Sequence, residues 1–299
     1  MKRKIYSIVI ISFFGLLLVG SITWIVINQV QKGHSQTSFD GEKALADIRY
    51  QVSLGPRLPG SEAHQELVSW LDRELISYGW DVEIQNGTMM GHSIQNVIAR
   101  RGTGKRWIIL GAHYDTRILA DQETQESLKQ SPVPGANDGA SGVAVLVELA
   151  RILSKNLDTN VWLVFFDAED NGEIPGWDWI LGSRYFAQRI NCCPDAVVIV
   201  DMVGGANPLL YKERTSDVAI TNQIWSVAQN LGLSSVFIPE EKYMVIDDQT
   251  PFLELGMKAV DIVDMDYPYW HTTKDTIDKI SAKSLQEVGN TLYSWLIHP

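Results

Sequence analysis

Four short apolar runs in this chain end on an acidic or imidazole side chain, and that pattern limits the folds open to it. They are "RWIILGAHYD" (106–115), "NVWLVFFD" (160–167), "DAVVIVD" (195–201) and "KAVDIVD" (258–264). Each is the length of a strand buried on both faces, and stretches with helical periodicity alternate with them: 61–79, 141–155, 181–190, 216–232 and a closing helix near 281–297. Alternation of this kind predicts an α/β fold, a single domain with a mostly parallel mixed central sheet flanked by helices on both faces. In such a sheet ligands bind beyond the carboxyl ends of the strands. His113 and Asp115, then Asp167, Glu169 and Asp170, then Asp201, then Asp264 would share that rim. One carboxylate at a strand end is an ordinary turn or helix cap. Several together repel one another unless a cation neutralises them.

Two further segments feed the rim. "PGANDGASG" (134–142) sets Asp138 in a glycine-rich turn just before a helix, where small neighbours let the backbone approach a ligand closely. "DMDYPYWHTTKDT" (264–276) brings His271 back near the end of the chain. Imidazole plus carboxylates without thiolate suits zinc in a catalytic site with an open position, whereas magnesium and calcium prefer oxygen alone. Adjacent Glu169 and Asp170 suit a division of labour, one on the metal and the other holding a proton. The chain has no HExxH, no GxSxG and no P-loop, which excludes those classes. Its two cysteines, Cys192 and Cys193, are neighbours, so no distant segments are stapled and no cysteine-rich zinc site forms.

The 299 residues carry a net charge of −11, which speaks against a nucleic-acid partner. From Ile5 to Ile27 there are 23 residues without a charge, preceded by Lys2, Arg3 and Lys4. That is long enough to cross a bilayer, and the basic stub places the N-terminus in the cytoplasm. The apolar run exceeds a signal peptide's 7–15 residues and lacks a clean small-x-small site. The expected layout is a cytoplasmic stub (1–4), a transmembrane signal anchor (5–28), a linker (29–43) and an extracytoplasmic catalytic domain (44–299).

"LGPRLPGS" (54–61), "GAHYDT", "PGANDGASGVAVLVELAR", "FFDAED", "GSRYF" and "WHT" occur in an order that resembles the M28 zinc peptidase superfamily and, within it, the glutaminyl-peptide cyclotransferases (glutaminyl cyclases). The resemblance runs from about residue 45 to the end. It implies zinc ligands at Asp138, Asp170 and His271 and an acid/base at Glu169. It implies supporting aspartates at Asp248, in "DDQTPF", and at Asp201, and a pocket tryptophan at Trp270. Trp177 or Trp179 would supply a second pocket aromatic, Trp177 being the first choice. Many relatives carry Glu where this chain has Asp170, and the stretch after it differs in length from the animal enzymes. The implied activity is cyclisation of N-terminal glutamine on peptides or proteins, with one zinc. The alternative is a two-zinc aminopeptidase, with His113 and Asp201 on the second metal and Asp138 bridging.

Overall fold

The computed structural model describes residues 39–191 and 193–297. The expected stub and anchor, and most of the linker, fall outside them. No helix among the described residues is long and apolar enough to cross a membrane. The folded body begins at Phe39, ahead of the expected boundary at 44. Phe39 is buried, and its ring occupies the space a side chain on Gly289 would need. Asp40 then caps a helix whose first three residues fall in the expected linker, accepting from the backbone N–H groups of Glu42 and Lys43.

The helices in chain order are α1 (Gly41–Ser53), α2 (Glu62–Ser77), α3 (Ala140–Ile152), α4 (Leu181–Ala187), α5 (Val218–Asn230), α6 (Thr250–Glu254) and α7 (Ala282–Ile297). The strands are β1 (Asp81–Met89), β2 (His92–Arg101), β3 (Trp107–His113), β4 (Asn160–Phe166), β5 (Ala196–Asp201), β6 (Leu210–Lys212), β7 (Phe237–Glu241) and β8 (Ala259–Val263). Six of them form one mixed sheet in the order β1-β2-β4-β3-β5-β8. The β1–β2 and β2–β4 pairs are antiparallel, and the remaining three pairs are parallel. β6 and β7 make a separate parallel pair. "TPFLELG", an apolar run beside the acidic "DD", folds as the short helix α6 with proline in its first turn.

β3, β5 and β8 are buried along their whole length, as parallel strands covered on both faces must be. The larger core lies between the sheet and helices α1, α2, α3, α5 and α7, and a smaller one between the sheet and α4 and α6. α3 is the innermost helix. A Cβ on Gly142 would lie 2.0 Å from the carbonyl of Val200, so glycine lets this helix press onto β5. After β3 the chain crosses to β4 on one side, then passes back over β3 to β5 on the other. Next to β3 the crossover direction reverses, and its carboxyl end faces the crevice that such a reversal opens.

Candidate metal centre

Three turns meet above β3. The first carries Asp138 and is held from both sides. Buried Arg57 donates to the carbonyls of Pro134 (2.5 Å) and Gly135 (2.6 Å). Asp275 accepts from the N–H groups of Asn137 (2.9 Å) and Asp138 (3.1 Å), and the Tyr267 hydroxyl donates to the same carboxylate at 2.7 Å. The second turn follows β4. Asp115, at the end of β3, accepts from the N–H of Glu169 (2.9 Å) and of Asp170 (3.3 Å). The third is the 264–276 segment, where the N–H of Gln122 donates to the carbonyl of His271 at 3.2 Å. Ala168 (φ 51°), Met202 (φ 47°) and His271 (φ 54°) all adopt left-handed backbone at this rim. Such conformations cost energy and persist only where the surroundings fix them.

Asp138, Asp170 and His271 each offer a ligand atom within 4.8 Å of the others, and all three are buried. His271 Nε2 lies 2.8 Å from Asp170 Oδ1 and 3.7 Å from Asp138 Oδ2. A second trio, His113, Asp138 and Asp201, shares Asp138. His113 Nε2 is 3.2 Å from Asp138 Oδ1 and 3.1 Å from Asp201 Oδ1. One oxygen each of Asp138 and Asp170 is buried without a hydrogen-bond partner. Unpaired buried carboxylate oxygens that converge on an imidazole fit a divalent cation well.

A cavity of about 220 Å³ opens over Asp138, Asp170 and His271 and reaches Asp201 of the second trio. Glu169, Asp201 and Asp247 line it, as do Trp179, Trp270, Met202, Val245, Ile246, Val263 and Met265. Burial pushes the Glu169 carboxyl well up, and Asp170, Asp247 and Asp248 add to that while His113 opposes it. Burial, with Asp138 beside it, lifts Asp170 to about 6. Burial pulls the His271 imidazole down, but Asp170 and Asp121 more than offset this and it rises to about 9.

Several residues sit differently from the expectation. Asp248 is fully buried and does not reach the cavity; its neighbour Asp247 does. Trp177 does not line the cavity either and instead stacks on His92 with ring centroids 3.5 Å apart. Trp179 takes the pocket position, stacked on His271 at 6.0 Å, while Trp270 stacks on the same imidazole at 3.9 Å. Asp167 turns away to His64, at 2.7 Å, and Asp264 caps its own turn by accepting from the N–H of Asp266. Residue types alone gave no sign of Arg117, which is buried. Its Nε and Nη2 hold Asp121 at 2.9 and 2.8 Å, and its Nη1 donates to the Asp170 carbonyl at 2.9 Å. Asp121 Oδ1 in turn lies 3.5 Å from His271 Nδ1.

Comparison with known proteins agrees with this geometry. The sequence pattern of peptidase family M28 matches residues 96–296. A glutaminyl-peptide cyclotransferase from Gloydius blomhoffii is 25% identical over 289 residues, covering 81% of this chain and 77% of that protein. The crystal structure of Tannerella forsythia glutaminyl cyclase superposes with a TM-score of 0.82 at 32% identity, covering 88% of this chain and 99% of the other. That of a leucine aminopeptidase precursor from Bacteroides thetaiotaomicron does so with a TM-score of 0.84 at 30% identity, covering 88% and 98%.

Proposed function

The chain belongs to peptidase family M28, and on that premise we propose that it is a zinc-dependent glutaminyl-peptide cyclotransferase, converting N-terminal glutamine of peptides or proteins to pyroglutamate. The observation that carries this reading is the pocket itself. Two tryptophans stack on His271, and carboxylates from separate turns converge beneath them. Apolar walls of this kind exclude water, which would otherwise hydrolyse the same carbonyl.

Asp138, Asp170 and His271 would hold one zinc, which when bound polarises the γ-amide carbonyl of the substrate. The α-amine of the same glutamine is tethered within reach of that carbonyl carbon, so the reaction needs mainly orientation. Its nitrogen forms the new C–N bond, the amide C–N bond breaks, and ammonia leaves. Glu169 takes a proton from the attacking amine and returns it to the departing nitrogen, a task that burial suits by raising its affinity for the proton. Asp247 and Asp201 face the cavity and would orient the amine, while Asp248 stands behind Asp247. Trp270 and Trp179 would enclose the side chain.

The second trio supports one rival reading, a two-zinc aminopeptidase with His113 and Asp201 on the second metal and Asp138 bridging. Glu169→Gln tests the proton carrier on which the cyclase reading depends. It keeps the side chain's shape, so zinc should stay bound by elemental analysis while ammonia release from Gln-peptides falls about 10²–10⁴-fold. Near-normal cyclisation in that variant would remove Glu169 from the mechanism.

The uncharged run behind three basic residues supports a signal anchor at 5–28, with the catalytic body extracytoplasmic. Protease added to intact cells or spheroplasts should then digest the body. A body protected until lysis would refute the anchor.

A further inference from the structure

Eight large apolar side chains are exposed among the described residues, and two of the three most exposed share one loop at the cavity mouth: Met244 at 70% and Ile246 at 62%. The loop is not frayed. Buried Glu213 accepts from the Val245 N–H (3.3 Å), and Gln249 Nε2 donates to the Val245 carbonyl (3.2 Å). The Arg214 N–H donates to the Tyr243 carbonyl at 2.8 Å. Val245 packs in one apolar cluster with Met265 and Trp270. Apolar side chains held rigidly in water at the edge of a polar pocket mark a surface that something covers.

We infer that Met244, Val245, Ile246, Met265 and Trp270 form the subsite for the residue that follows the N-terminal glutamine, and that this shelf selects a large apolar side chain over an acidic one. The inference rests on the cyclase reading. With the γ-amide at the metal ligands and the α-amine folded back on it, the rest of the peptide has to leave through the cavity mouth. Ile246 marks that boundary, because it lines the cavity and is also exposed. Charge points the same way. The cavity lining holds five carboxylates (Asp138, Glu169, Asp170, Asp201 and Asp247) and no lysine or arginine. The loop's own cation, Lys242, is held by Asp266 at 2.6 and 2.9 Å. An acidic second residue would find repulsion and no partner, whereas a leucine or phenylalanine would cover apolar surface already exposed.

The test is a series of Gln-Xaa-Ala amides, with Xaa as Leu, Phe, Ser or Glu, turned over by the full-length zinc-loaded protein. Ammonia release should give a kcat/KM for Leu and Phe about tenfold above Ser, as expected for burying roughly half of such a side chain. Glu should be the poorest. Ile246→Ser and Met244→Ser should each pull the Leu:Ser ratio towards one through KM, with the Ser:Glu gap left standing. A flat ranking with brisk ammonia release, or an unchanged Leu:Ser ratio in both variants, overturns the shelf while the cyclase reading stands. Ammonia from no member of the series overturns both.

Discussion

Arg117 ties two of the three metal-ligand candidates together: it grips the carboxylate that faces His271 and the carbonyl of Asp170, and its guanidinium lies 5.0 Å from the Trp179 ring. A histidine ligand needs its second ring nitrogen anchored so that the first points at the metal, and outer partners of this kind typically contribute about 10–100-fold in metal affinity. Asp121→Asn should therefore weaken zinc binding by about that factor, read by competition with a chelator, with the fold intact because Asp121 is partly exposed. Unchanged affinity would show that His271 is held without it. Asp138, Asp170 and His271 were legible in the sequence because motif and chemistry agree on them. That Asp247 rather than the expected Asp248, and Trp179 rather than Trp177, would face the cavity was not. Residues one or two apart in a turn can face opposite ways, and the outcome is set by contacts such as Trp177 on His92.

Strands read well from sequence because burial on both faces leaves uninterrupted apolar runs that end where the polar rim begins. α1 did not, since its first residues are as polar as a linker, its cap is Asp40 inside that stretch, and the segment is anchored by Phe39 packing on Gly289 of α7. That helix also carries a test at its own scale. Asp47 faces the α2–α3 side of the core, where burial, then Glu148 and Glu74, raise its carboxyl from 3.8 to about 7. A carboxyl raised in the folded state favours the fold while protonated. Its contribution is full below about 4 and is lost as the pH rises through about 7. Asp47→Asn should match the wild type in melting temperature near pH 4 and exceed it at pH 8. The gain should be about 1–2 kcal/mol after allowing for solvent screening. An equal difference at both pH values would rule out ionisation of Asp47 as its cause.

At the level of the whole molecule, the order β1-β2-β4-β3-β5-β8 puts the carboxyl end of β3 at the centre of the rim, and His113, Glu169 and Asp201 reach the site from adjacent strand ends. The β1–β2 edge pairs antiparallel because the two residues between the strands, Met90 and Gly91, are too few for a parallel crossover. The same rim holds two ligand trios that share Asp138, so the choice between cyclisation and peptide hydrolysis rests on where the attacking nitrogen or water sits. The direct measurement is the mass of the product from a single peptide with N-terminal glutamine, incubated with the zinc-loaded protein. The account predicts a peptide that keeps every residue and has lost only ammonia. Free glutamine together with a peptide one residue shorter would contradict it.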